Sequence, residues 1–307
     1  MLGSGELTKS KILTQYFALL RPHHWIKNSF IFLPLFFGGE VFNADKLVDC
    51  VLGFFAFSFI ASSIYVLNDY MDVENDKKHP DKCNRPLACG AVSKNSAIAL
   101  FIVSFLIGVG IALLIKPKFL FVLMLYFFMN IAYSLGLKNI AILDIVMIAI
   151  GFVLRIKAGG VIAMIAISEW LMIMVFLLAL FMAVGKRRDD LLIKMDSGID
   201  IRKSVKGYTL EFLNVVLAMI TAIIIIAYLM YTVSPAVEQR WKTYRLYYTS
   251  LFVIIGLLRY LQITFVEKNA GSPTKLLYKD VFLQVTLLLW IISFYTIIYL
   301  PDFSIFK

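Results

Sequence analysis

The stretch VLGFFAFSFIASSIYVL (residues 51–67) runs without a charge into NDYMDVEND (residues 68–76). With its flanks, the first part is long enough to cross a hydrocarbon core of roughly 30 Å as an α-helix rising about 1.5 Å per residue. The second part sets Asp69, Asp72 and Asp76 at the end of that helix. If the helix continues, each residue advances by about 100°, so these three share a face while Glu74 points elsewhere. Carboxylates crowded beside a bilayer repel one another and are costly unless a cation or donor compensates.

Outward from this stretch the same apolar texture repeats. The 307 residues are 61% hydrophobic and 16% charged, where a soluble domain has about 45–50% and about 25%. Spans are expected near residues 28–42, 47–67, 96–115, 119–137, 141–163, 168–185, 211–232, 246–265 and 280–299, the first interrupted by Pro34, Gly38 and Gly39. The expected fold is an all-α integral membrane protein with nine transmembrane helices in one domain, 1–307. Met1–Lys11 is polar and does not read as a secretory signal. Residues 1–27 read as a cytoplasmic or interfacial segment, with Ile12, Leu13, Phe17, Leu19 and Leu20 between Lys9, Lys11 and Arg21.

Placing the N-terminus in the cytoplasm puts most of the 30 Lys and Arg on the cytoplasmic side, as the positive-inside rule requires of a multi-pass protein of the cell membrane. That bias accounts for the net charge of +10. No nucleic-acid motif accompanies it, and no nucleic-acid partner is expected. No Ser-His-Asp arrangement, P-loop or dinucleotide fingerprint is present. Cys50, Cys83 and Cys89 lack zinc-ligand spacing and read as inert thiols.

The natural compensator for Asp69, Asp72 and Asp76 is Mg²⁺, which takes oxygen ligands and commonly bridges one or two carboxylates to substrate phosphates. Lys77, Lys78, His79, Lys82 and Arg85 follow at once, and Pro80 and Pro86 stiffen the loop. Carboxylates for a metal beside cations for phosphate make a diphosphate site. The plainer alternative is a solvated acidic helix end balanced by basic neighbours.

The pattern N-D-x-x-D-x-x-x-D-x-x-H-P-x-K-x-x-R-P over residues 68–86 resembles the UbiA-type intramembrane prenyltransferase superfamily. The resemblance implies a helical fold around a central cavity opening to the cytoplasm, with a diphosphate held through Mg²⁺ on two Asp-rich motifs. Here the sixth span ends in Lys186-Arg187-Arg188-Asp189-Asp190, not in a second set of spaced aspartates. Three further stretches, residues 21–28 (RPHHWIKN), 133–138 (YSLGLK) and 151–160 (GFVLRIKAGG), with Lys186-Arg187-Arg188, resemble the branch of decaprenyl-phosphate phosphoribosyltransferases. In that branch the donor is 5-phosphoribosyl diphosphate and the acceptor a polyprenyl phosphate. Loops 68–95 and 186–210 are then the catalytic ones.

The resemblance implies phosphate-binding roles for many cations. Arg155 and Lys157, inside an apolar span, bind substrate phosphate or pair structurally; Arg155 stands three turns from Asp144, the acid of the same span. Arg21, Lys27 and Asn28 either meet the acceptor phosphate or, with Trp25, anchor the interface. Lys186 and Arg187 become ligands of the 5-phosphate or remain positive-inside charges. Asn68, Tyr70, Lys82, Arg85, Tyr133 and Lys138 complete the candidates, the tyrosines as donors or as packing. Residues 194–206 read as a mobile loop. The rival activities are transfer of a prenyl group to an aromatic acceptor, which needs a second acidic cluster, and transport, which favours repeats and broken helices at the midplane.

Overall fold

The computed structural model describes residues 9–77, 82–197, 203–267, 276 and 279–300. Every regular element among the described residues is helical. Among the described residues, eight segments are long and apolar enough to cross a membrane: Ala44–Met71, Lys94–Ile115, Pro117–Leu135, Leu143–Ala163, Glu169–Asp196, Leu210–Thr232, Arg245–Phe265 and Val281–Tyr299. In chain order the α-helices are α1 (Lys9–Leu20), α2 (Leu33–Gly38), α3 (Ala44–Met71), α4 (Val73–Asp76), α5 (Lys94–Ile115), α6 (Pro117–Leu135), α7 (Leu143–Ala163), α8 (Glu169–Ser197), α9 (Leu210–Thr232), α10 (Pro235–Trp241), α11 (Ser250–Phe265) and α12 (Val281–Tyr299).

The expected first span, 28–42, is not one α-helix. Pro22–Phe32 is a 3₁₀ helix, and α2 follows for six residues before Gly39 closes it at φ 73°. Pro34 brings no backbone N–H to the α ladder, and the glycine takes the left-handed cap that a Cβ disfavours. At roughly 2.0 Å per residue, a 3₁₀ run has more reach than an α-helix of equal length.

Side-chain caps explain where the long helices begin. Asn43, Ser93, Thr209 and Asp280 accept from the backbone N–H of Lys46, Ser96, Phe212 and Leu283 at the starts of α3, α5, α9 and α12. Each cap satisfies one of the amides a helix start leaves unpaired.

The chain divides into two compact units: Met1–Leu135 with Leu154–Ala166, and Gly136–Val153 with Ile167–Lys307. In the first unit α3 packs along α5 and also meets α1, α6 and the 3₁₀ segment. Without a hydrophobic drive between helices in lipid, close approach at small residues does this work. A Cβ on Gly108 of α5 would lie 2.9 Å from the Ala56 carbonyl oxygen of α3. The 3₁₀ segment lies against one stripe of α3: Trp25 donates to Ser62 (2.9 Å) and Asn28 to Ser58 (2.9 Å). In the second unit α8 packs on α9, and α11 on α9 and α12. The Tyr228 hydroxyl ties three elements there, accepting from Trp290 and meeting Thr249, both at 2.7 Å.

Gly159 of α7 marks a close backbone approach to the 3₁₀ segment. A Cβ there would sit 2.0 Å from the Ile31 carbonyl oxygen, a main-chain atom that cannot rotate aside. Gly159→Ala is therefore expected to cost at least about 1–3 kcal/mol, as overpacking does. Thermal unfolding in detergent checks this; an unchanged midpoint would show that α7 and the 3₁₀ segment separate freely.

Candidate active site

The acidic end of α3 is held by two arginines. Its helix stops at Asp72 (φ −92°, ψ 3°), and α4 carries the chain on to Asp76. The Asp72 carbonyl accepts from the Asp76 amide at 2.8 Å, so the chain stays wound despite the break. Asp69 and Asp76 are 2% and 4% exposed. Arg85 Nη1 donates to Asp69 Oδ1 at 3.0 Å and to Asp76 Oδ2 at 2.6 Å. Arg21 Nη2 donates to the same Asp69 oxygen at 2.5 Å. The two carboxylates thus meet at one positive nitrogen. Carboxylates this deeply buried persist only with such partners.

Arg21 reaches Asp69 from a backbone at φ 52°, ψ 56°. The left-handed region costs a side-chain-bearing residue roughly 1–2 kcal/mol, and such strain concentrates at functional positions. Its guanidinium also stacks 5.3 Å from the Tyr65 ring. Asp72, Asn68, Lys27, Lys82 and Tyr133 are half-buried, and Tyr70 and Lys157 are exposed. Lys78, His79, Pro80 and Asp81 lie outside the described residues.

Arg155 is 5% exposed, inside the first unit. Its Nε donates to Asn28 Oδ1 at 2.8 Å and its Nη2 to the Tyr126 hydroxyl at 2.9 Å, with the Phe57 and Tyr126 rings 5.2 and 4.8 Å away. These hydrogen bonds and cation–π contacts fix the guanidinium in place. It does not meet Asp144, although the two share a helical stripe. Eleven residues of α-helix separate them by about 16 Å, beyond side-chain reach.

Asp144 belongs to the second unit and is fully buried. Its Oδ2 accepts from Arg187 Nε (2.5 Å) and Ser204 (3.0 Å), its Oδ1 from the Tyr208 hydroxyl (2.7 Å). Arg187, 1% exposed, also donates to Asp190 Oδ2 at 2.9 Å. Tyr208 in turn receives the Ile142 amide at 2.6 Å. Burial and its hydrogen bond to Asp144 push the Tyr208 hydroxyl above the usual phenol range, so it remains a donor at physiological pH. Ser204 lies in the 3₁₀ turn Lys203–Gly207. Of the expected mobile loop, residues 203–206 are instead docked, while 198–202 lie outside the described residues. Lys186 is exposed and Lys138 half-buried.

Ser204, Tyr208 and Asp190 were not among the sequence candidates. The signal for them was Asp144 itself: a lone acid in an apolar span requires donors. Their sequence distance from it hid which residues supply them.

Among the described residues, no three His, Cys, Asp or Glu side chains group as a metal site. The donor set at the end of α3 fits a hard cation in a narrower way. Asp69 and Asp76 supply two carboxylates converging on one positive nitrogen, and Mg²⁺ needs only one or two, with waters and substrate phosphates filling its other positions.

The model of the UbiA prenyltransferase family matches residues 30–283. The chain is 31% identical to a decaprenyl-phosphate phosphoribosyltransferase of Corynebacterium glutamicum, covering 92% of this chain and 86% of that protein. It is 33% identical to one of Mycolicibacterium smegmatis, covering 89% and 88%. A solved UbiA homolog from Archaeoglobus fulgidus, bound to DMAPP and Mg²⁺, superposes with a TM-score of 0.69 at 21% identity over 92% of this chain and 99% of that one. At that identity the likeness is one of fold. The match spans most of the described helices and includes the acidic end of α3, and with it this multi-pass membrane chain belongs to the UbiA prenyltransferase family.

Proposed function

We propose that this protein transfers a 5-phosphoribosyl group from 5-phosphoribosyl diphosphate to a polyprenyl phosphate, with Mg²⁺, on the cytoplasmic side of the cell membrane. The observation that carries the reading is the similarity, over about nine-tenths of the chain, to proteins named for that reaction. The sequence supports it on one point: the sixth span ends in Lys186-Arg187-Arg188-Asp189-Asp190, not in the second set of spaced aspartates that a prenyl-diphosphate enzyme uses.

In this reading Asp69, Asp72 and Asp76 hold the metal, and Arg21, Arg85, Lys27 and Lys82 receive phosphate oxygens. Bound there, Mg²⁺ would neutralise charge on the diphosphate leaving group. The bond from ribose C1 to the diphosphate oxygen breaks, the diphosphate departs with the electron pair, and an oxygen of the lipid phosphate bonds to C1 from the opposite face. That oxygen is already anionic, so no general base is required. Catalysis rests on positioning and charge stabilisation.

Exposed Lys186 is assigned to a donor phosphate, whereas Arg187 is assigned to the buried scaffold. Lys186→Ala is expected to raise the apparent donor constant about tenfold, the effect of one charge-assisted hydrogen bond. Diphosphate release from phosphoribosyl diphosphate, followed with and without added polyprenyl phosphate, tests the reading. Release that requires the lipid supports it. Release from prenyl diphosphate alone, in the presence of an aromatic acceptor, reverses it.

A further inference from the structure

We propose that Arg85 holds the metal position at Asp69 and Asp76 while the site is empty, so that metal and diphosphate enter together and neither binds well alone. This rests on reading the two carboxylates as metal ligands. Arg21, Arg85, Asp69 and Asp76 form a quartet whose formal charges cancel. Arg85 Nη1 sits 3.0 and 2.6 Å from the two carboxylate oxygens, and a divalent ion at about 2.0–2.1 Å competes for those same oxygens.

A metal ion arriving alone displaces Arg85 and leaves a permanently charged guanidinium, only 26% exposed, without its counter-ions. A diphosphate arriving alone meets carboxylates that already claim both arginines. When the two arrive together, the carboxylates take the metal and the arginine forks turn to the phosphate oxygens, whose geometry they match. Arg85 is thus a stand-in cation in one state and a substrate ligand in the other. Linkage makes the coupling reciprocal: whatever factor the diphosphate adds to metal affinity, the metal adds to diphosphate affinity.

The full chain in detergent, titrated with Mn²⁺ and no diphosphate, tests this, with free Mn²⁺ counted by electron paramagnetic resonance. Wild type is expected to bind weakly. Arg85→Gln releases Asp76 and leaves Asp69 to Arg21 alone, and is expected to bind at least about tenfold more tightly, within the usual range of coupling between sites. Adding Asp76→Asn to that variant should remove the gain. Arg85→Lys keeps the charge and so guards the fold, but its flexible point charge holds the two oxygens less firmly than the planar guanidinium; it is expected to fall between the two, and it decides the matter if Arg85→Gln does not fold. Equal Mn²⁺ affinity in wild type, Arg85→Gln and Arg85→Lys, with Asp76→Asn weakening each, would overturn the stand-in role and leave the metal site intact. No effect of Asp76→Asn in any background would remove the metal reading itself.

Discussion

Arg187→Ala is expected to destabilise the protein by about 3–5 kcal/mol, the usual result of breaking a buried ion pair from one side. Arg187 is 1% exposed and Asp144 fully buried. Removing the guanidinium strips Asp144 of its charged partner while Ser204 and Tyr208 remain as neutral donors. Asp190 loses its Arg187 contact in the same step. Thermal unfolding of the purified protein, followed by circular dichroism in detergent, measures the effect. Replacing both partners with apolar residues of similar size, Arg187→Met with Asp144→Leu, should recover only part of the loss, because it removes the stranded Asp144 charge and still leaves Asp190 without Arg187. An Arg187→Ala protein that melts with wild type would show that this pair does not brace the second unit.

Asp72→Asn is expected to lower turnover by two to three orders of magnitude, on the order of 10²–10³-fold, the scale on which one lost electrostatic contact to a reacting centre acts. The change keeps the shape of the side chain and removes only its charge. Asp72 is half-buried at the break between α3 and α4, so the helical signal and melting temperature should hold. Turnover and melting measured on the same preparation separate the outcomes. Full activity would exclude Asp72 from the metal-binding set, and lost activity with lost folding would make its role structural.

Much of this was readable from residue spacing. The long spans follow from apolar run length. Asp69 and Asp76 do meet at one point, as the 100° step of a helix requires, even though the helix breaks between them. Spacing failed where a partner comes from far along the chain. Asp144 shares a stripe with Arg155, yet its donors arrive from Arg187, Ser204 and Tyr208, because a stripe fixes direction and not distance. Arg155 read as either a phosphate ligand or a structural partner, and spacing did not show that Asn28 and Tyr126 contact its guanidinium. Residues 28–42 read as a short span, because their apolar content is right. The 3₁₀ winding of Pro22–Phe32 comes from Pro22 and from the anchoring of Trp25 and Asn28 on α3, which composition does not report.

Mass spectrometry of the lipid product identifies the donor. Purified protein would be given phosphoribosyl diphosphate and a prenyl diphosphate together, with Mg²⁺, a polyprenyl phosphate and 4-hydroxybenzoate. The polyprenyl phosphate is expected to gain one phosphoribosyl unit, with the aromatic acceptor unchanged. A prenylated aromatic product, with the polyprenyl phosphate recovered unmodified, would contradict the proposed donor.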